Sequence, residues 1–213
     1  MQRKSSWHCR RCGLPCSSSQ PLELNCPSCH RETDLPDRVV PLGLYEGELR
    51  AAVIRAKRIS ERPLAAAMGA LLADHIVQTV PQPRADVVIA IPKFWMKRLV
   101  EGSNSSAVLA DVVGRRLKIP VLADGLVAHR KTKKQSLLSM TDRRRNLKGA
   151  MRAGWDCNFR GDHVMLVDDI MTTGSTAREA ARVLRKSGAK SVTLAVLARA
   201  TAERRMAIGK VSP

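Results

Sequence analysis

Nine consecutive residues carry the most specific chemistry in this chain: Asp168-Asp169-Ile170-Met171-Thr172-Thr173-Gly174-Ser175-Thr176. An apolar run, Val164-Met165-Leu166-Val167, leads into the two acids. A small-residue turn follows, and then a helical pattern. Such a turn exposes consecutive backbone N–H groups, and the positive end of the following helix adds to them, making an anion cradle. Thr172, Thr173, Ser175 and Thr176 supply hydroxyl donors, and Gly174 lets the backbone approach a phosphate closely. Asp168 and Asp169, at the end of the strand, are placed to accept hydrogen bonds from sugar hydroxyls. Open α/β sheets bind ligands beyond the carboxyl ends of their strands. The string is neither the Gly-x-x-x-x-Gly-Lys P-loop nor the Gly-x-Gly-x-x-Gly dinucleotide fingerprint. Two adjacent acids alone are ordinary where a strand meets a polar turn. The whole string, from Val164 to Thr176, is what argues for a sugar-phosphate site.

A second constellation lies near the N-terminus. Cys9-x-x-Cys12 and Cys26-x-x-Cys29 are separated by thirteen residues. Two such pairs give four thiolates that can close tetrahedrally on one Zn²⁺. Gly13 suits the tight knuckle turn. The metal would supply folding energy that so short a segment cannot draw from a core. Four thiolates leave no open coordination position, so the site reads as structural. A redox pair and a metal-free segment are the alternatives. Cys16, His8 and His30 are the nearby substitutes as ligands and are not needed. Cys157 reads as an inert thiol.

The rest of the chain must position these groups. Its 213 residues suffice for one α/β domain and a small appendage. Hydrophobic content of 44% with only 3% aromatics implies an aliphatic core. Helical spacing appears at Leu49, Val53 and Ala56, and again at Leu64, Met68, Leu71, Leu72 and Ile76. Strand character marks 86–91, 120–127, 163–167 and 191–197. Helices are expected near 105–118 and 175–187, the second closed by Gly188. Residues 32–41 read as a linker. Alternation of strands and helices predicts a parallel sheet covered on both faces. The expected division is a cysteine element and linker over 1–36 and the α/β domain over 37–213.

Charge bounds the partners. Lys and Arg number 37 against 19 Asp and Glu, a net charge of +18. That excess favours polyanions through steering and counterion release, without naming which. No run approaches the roughly 18 to 20 apolar residues of a membrane span. Basic residues at the N-terminus have no apolar stretch behind them, so no signal peptide is expected. A cytoplasmic protein with reduced cysteines is the expectation.

The phosphate string resembles the phosphoribosyl pyrophosphate motif of type I phosphoribosyltransferases, and more of the chain is similar to one branch, the ComF family of competence-associated proteins. Carrying the ComF likeness are the four cysteines, the stretch from Tyr45 to Lys57, and Gln135, Arg143, Asn146, Leu147, Gly149 and Ala150. Leu197-Ala198-Arg199 closes the pattern. The resemblance implies that Asp168 and Asp169 hold the ribose hydroxyls and that Thr172 to Thr176 hold the 5-phosphate. It implies Mg²⁺ with the pyrophosphate where the chain is catalytic. It implies a link to DNA uptake, with single-stranded DNA and competence helicase-type proteins as further partners.

The resemblance breaks at one place. Where the family carries Arg-Gly-Phe-Asn-Gln, near the pyrophosphate, this chain has Glu101-Gly102-Ser103-Asn104-Ser105. A glutamate there repels pyrophosphate oxygens. Lys93, Lys97 and Arg98 are the cations at hand to compensate. The basic segment 129–152 stands where phosphoribosyltransferases carry a flexible catalytic loop. Arg130, Gln135, Arg143 and Asn146 are its candidate contacts. The same cations could track a nucleic-acid backbone, or form a solvated charge run. Two functions follow: a phosphoribosyltransferase-like enzyme or ligand-binding protein, and a non-catalytic single-stranded-DNA or protein-binding module of the competence machinery.

Overall fold

The computed structural model describes residues 8–16, 26–30, 32–80, 85–92, 104–129 and 147–201. A sheet of four parallel strands runs through its centre, in the order β1 (Arg38–Leu44), β6 (Ser191–Arg199), β5 (His163–Met171), β2 (Val87–Ala90). The inner strands are near-continuous apolar runs because both of their faces are covered. Val164 and Leu166 point into one core, and Met165 and Val167 into the other. This is the period-2 alternation of a strand.

Each face has its own cover. On one side lie α1 (Gly47–Arg55), α2 (Arg62–Thr79) and α3 (Ser105–Leu117), which bury Val53, Met68, Leu72, Ile76, Leu109 and Val113 against the sheet. Pro63 enters α2 in its first turn, where its missing N–H costs nothing. Gly69 lets α2 approach α3 closely: a Cβ there would stand 3.0 Å from Val112 Cβ. On the other side lies α4 (Ser175–Lys186), with Ala177, Ala180, Ala181, Val183 and Leu184 turned inward. The four cysteines, Leu35 and Val39 complete that second core. Each fully buried leucine contributes about 1.5 to 3 kcal/mol. No helix among the described residues is long and apolar enough to cross a membrane.

The structure departs from the sequence reading in three places. The expected linker, 32–41, ends in a strand: β1 starts at Arg38 and pairs with β6 from Arg38↔Thr193 to Leu44↔Arg199. Pro41, at the strand's centre, conceals it. A proline is tolerated because β1 is the edge strand of the sheet. The apolar stretch 120–127 is not one strand. Val121 makes a single parallel bridge to Val88, and the chain then turns at Gly125 into β3 (Leu126–Ala128). That strand pairs antiparallel with β4 (Met151–Ala153), which the sequence did not reveal. Finally, β5 runs on past Val167 to Met171, so both acids lie within the strand.

Candidate functional site

Register explains why the acids meet side chains from outside the sheet. β2 stops at Ala90, opposite Val167, and Pro92 follows. Beyond that level no strand among the described residues pairs with β5 on this side. The first turn of α3 fills the space. Helix α3, after β2, covers one face, and α4, after β5, covers the other. The opening between them at the strands' carboxyl ends is a topological switch point, where such sheets bind ligands.

Two consecutive serines hold the acid pair. Ser106 Oγ donates to Asp168 Oδ1 at 2.8 Å, and Ser105 Oγ donates to Asp169 Oδ2 at 2.9 Å. Both serines are buried, at 0% and 1% exposure, so these bonds to charged acceptors are not exchanged with water. The backbone N–H of Asp169 also donates to Asp168 Oδ1. Lys57, just past α1, places Nζ 3.4 Å from Asp169 Oδ2. Burial alone would lower the Lys57 pKa, but the charges of Asp169 and Asp168 outweigh it and leave it raised. Asn104, which caps α3, has a buried Oδ1 with no hydrogen-bond partner among the described residues.

The turn after the acids is built as an anion cradle requires. Gly174 takes φ +78 as the N-cap of α4 and has no side chain with which to cap it. Among the N–H groups of the first helical turn, that of Ser175 meets Thr173 Oγ1, and the next ones are left to solvent or to an anion. Thr173 Oγ1 and Ser175 Oγ are 3.0 Å apart, and the N–H of Ser175 donates to Thr173 Oγ1 at 3.4 Å. Thr173 and Ser175 are buried, while Thr172 and Thr176 are half-buried. Behind the turn, Arg199 donates to the carbonyls of Met171, at 2.8 Å, and of Thr172. Farther along α4, buried Glu179 accepts the N–H of Gly149 at 2.8 Å, tying the helix to the segment before β4.

The four cysteines come together as their spacing predicts. Their sulfurs lie within 4.8 Å of one another, all buried. Cys9 and Cys29 are 3.6 Å apart, and Cys12 and Cys26 are 3.8 Å apart, so neither pair is a disulfide. The Cys12 thiol holds the Cys9 thiol down to about 4, and burial pushes Cys29 up to about 12. Four buried sulfurs this close could hold a metal ion, which would draw off the protons that burial retains.

The sequence-derived candidates divide cleanly. Asp168, Asp169, Thr172, Thr173, Gly174, Ser175 and Thr176 lie together where β5 leads into α4, and Cys9, Cys12, Cys26 and Cys29 cluster elsewhere. Lys93, Arg98, Arg130, Gln135, Arg143 and Asn146 lie outside the described residues, as does Glu101. Ser106, which holds Asp168, and Arg178, which holds the Thr173 carbonyl, were not singled out by the sequence reading. Lys57 and Arg199 stood in it only as parts of a pattern, and Ser105 only as a departure from one.

At the opposite end of the sheet lies a cavity of about 440 Å³ lined by Arg10, Arg11, Arg38 and Arg185 with Asp34 and Asp37. Arg38 precedes Leu44, which pairs with Arg199, by six strand residues, about 20 Å at a strand's rise.

Residues 103–211 match the phosphoribosyl transferase domain, and the chain belongs to that family, in its ComF branch. It is 31% identical over 194 residues to the DNA utilization protein YhgH of Escherichia coli O157:H7, covering 90% of this chain and 83% of that one. It is 31% identical over 204 residues to competence protein F of Haemophilus influenzae, covering 93% and 87%. Among solved structures, the glutamine phosphoribosylpyrophosphate amidotransferase of B. subtilis aligns at 24% identity and a TM-score of 0.42, over 62% of this chain. This chain spans about a quarter of that protein's length.

Proposed function

We propose that the chain binds the 5-phosphoribosyl group of phosphoribosyl pyrophosphate or a related phosphosugar at the end of β5. One observation carries the reading: the serine-held acid pair leads directly into a turn with Gly174 at φ +78 and the uncapped start of α4. The carboxylates of Asp168 and Asp169 accept the ribose hydroxyls. The backbone and hydroxyls of Thr172 to Thr176 take the 5-phosphate. Mg²⁺ accompanies the pyrophosphate when that ligand is bound. The remaining residues position and desolvate the sugar. Breaking the bond to pyrophosphate demands positioning rather than covalent help from the protein.

Zinc is the ion proposed for the cysteines, which form a zinc element over 1–36 beside the phosphoribosyltransferase-like domain of 37–213. Tetrahedral zinc at about 2.3 Å from each sulfur sets the sulfurs about 3.8 Å apart. The two separations of 3.6 and 3.8 Å fit it.

Calorimetric titration with phosphoribosyl pyrophosphate and Mg²⁺, beside an Asp168→Ala, Asp169→Ala double variant, tests the reading. Saturable binding that the double variant loses supports it. Absence of binding by zinc-loaded wild type removes it. Pyrophosphate release in a screen of nucleophiles then separates an enzyme from a binding protein.

A second reading rests on charge. The net charge of +18, the arginine-lined cavity and the name of the Escherichia coli relative favour contact with single-stranded DNA in a cytoplasmic competence pathway, with or without helicase-type partners. Binding through several phosphates must weaken steeply with salt. An Arg10→Ala, Arg38→Ala variant with an unchanged salt slope would remove the cavity from that contact.

A further inference from the structure

The buried guanidinium of Arg199, 2% exposed at the end of β6, joins the cysteine element to the phosphate loop. Its Nε donates to the carbonyl of Cys12 at 2.6 Å. One terminal nitrogen shares its two N–H groups among the carbonyls of Met171 at 2.8 Å, Thr172, and Ala200 at 2.9 Å. A charge is kept in such a place only by a full set of acceptors. Three separate segments therefore meet at one fork. The stem of Arg199 also packs on the knuckle: a Cβ on Gly13 would stand 3.5 Å from Arg199 Cδ.

A second arginine repeats the connection. Arg178, in the first turns of α4, pairs with Glu32 at 2.5 Å and donates to the carbonyl of Thr173 at 3.1 Å. Glu32 follows the second cysteine pair by three residues, and its N–H donates to Cys29 O at 3.0 Å. Met171 shares a core with the four cysteines. The loop carbonyls of 171, 172 and 173 are thus all drawn toward the cysteine element.

That orientation has a chemical consequence. In a trans peptide the carbonyl and the following N–H point in opposite directions. Holding the carbonyls of Met171, Thr172 and Thr173 on one side aims the N–H groups of Thr172, Thr173 and Gly174 to the other. Those are the donors an anion cradle uses.

We propose that metal in the cysteine element and phosphosugar in the loop bind cooperatively, with Arg199 as the positioning residue that carries the coupling and Arg178 as its reinforcement. The inference rests on the phosphoribosyl reading above. Metal fixes the Cys12 carbonyl. Arg199 is then anchored and holds the loop in its anion-binding form. Coupling of this kind is reciprocal, so ligand must tighten metal binding by the factor with which metal tightens ligand binding.

The test measures zinc affinity by competition with a chromophoric chelator, with and without saturating ribose 5-phosphate. Calorimetry of the zinc-loaded protein runs in parallel. Ribose 5-phosphate should tighten zinc binding by at least about five-fold, the lower range of allosteric couplings. In Arg199→Lys, which cannot reach all these carbonyls at once, the effect should fall below about two-fold. Arg178→Met should give an intermediate factor. The Asp168→Ala, Asp169→Ala variant should show none; a shift that persists there would come from direct contact between sugar and metal, and would overturn the proposal. Zinc affinity indifferent to a ligand that calorimetry shows to bind would also overturn it, leaving the phosphoribosyl site intact. Absence of ligand binding to zinc-loaded wild type would remove both.

Discussion

Lys57 Nζ lies 3.4 Å from Asp169 Oδ2, so the acid pair is already partly neutralised. Two adjacent carboxylates beside a polyanion would otherwise oppose binding. The lysine side chain is 37% exposed, so its pairing is screened and contributes modestly to stability. Its larger effect falls on the ligand. Lys57→Met should weaken phosphoribosyl pyrophosphate binding by about ten-fold, one charge interaction's worth in a partly desolvated site. Calorimetry reads this directly. An unchanged affinity would place Lys57 outside the site.

The same ion pair predicts a pH dependence. Despite burial, the charges of Asp169 and Asp168 leave the Lys57 pKa raised above its ordinary 10.5. A group raised on folding adds stability below its unfolded pKa and loses it as pH climbs through the folded one. The stability gap between wild type and Lys57→Met should therefore be full at pH 8 and close in the alkaline range above 10.5. Urea unfolding at a series of pH values measures it. A gap constant with pH would mean that Lys57 acts through packing alone.

Ser105 and Ser106 are buried donors to charged acceptors, a class worth about 1.5 to 3 kcal/mol per bond. Ser105→Ala and Ser106→Ala should each destabilise by about 1 to 2 kcal/mol. Each should also weaken ligand binding, because a carboxylate freed from its serine can rotate away from the ribose. Denaturant midpoints and calorimetry on the two single variants separate the effects. Loss of stability with intact affinity would make the serines supports of the fold only.

How much of this was legible beforehand follows from chain distance. The phosphate loop and the cysteine pairs are local strings, and each carries its chemistry within a few residues. The strand, turn and helix start were readable from Asp168 to Thr176, and the cysteine cluster from Cys9 to Cys29. The central strands β5 and β6 were readable too, because burial on both faces leaves near-continuous apolar runs, Val164 to Val167 and Leu194 to Ala198. What stayed hidden depends on partners far along the chain. Ser105 and Ser106 look like helix-start serines until β5 arrives beside them, 62 to 64 residues later. Arg199 looks like the basic end of a strand until Cys12, 187 residues away, supplies its acceptor. Strand β1 was hidden by Pro41, which only an edge position permits. Ser105 was read as a loss against the family pattern, yet its hydroxyl reaches Asp169. A shorter side chain here supports the acid pair.

Gly174 offers a paired test of the cradle. Its φ is +78, and a Cβ there would stand 2.7 Å from Met171 Cε. That carbon is the free end of a flexible chain, so the clash can be relieved by moving Met171. Gly161 has φ +88 with nothing within 4 Å of its would-be Cβ. Both alanine variants carry the left-handed backbone cost of about 1 to 2 kcal/mol. Only Gly174→Ala should also lose phosphosugar affinity, by about ten-fold or more, since it alters the backbone the phosphate meets. Equal affinities for the two variants would show that the phosphate is held elsewhere.

Metal removal should reach well past the cysteines. All four share a core with Leu35, Val39, Leu166, Leu184 and Val196, so the element forms part of one face of the sheet. Structural zinc binds four cysteine-type ligands with about 10 kcal/mol or more of free energy. The net stability of a whole domain is about 5 to 15 kcal/mol. A metal term of that size is comparable with everything else that holds a fold. Chelation should lower the melting temperature of the entire chain by more than about 10 °C, rather than fray its first residues alone. Cys26→Ser should reproduce that shift and bring the zinc content well below one ion per chain. Metal analysis beside a thermal melt checks both. A chelated protein that melts where the loaded one does would show that the sheet face is held by apolar packing, with the cysteines passive in it.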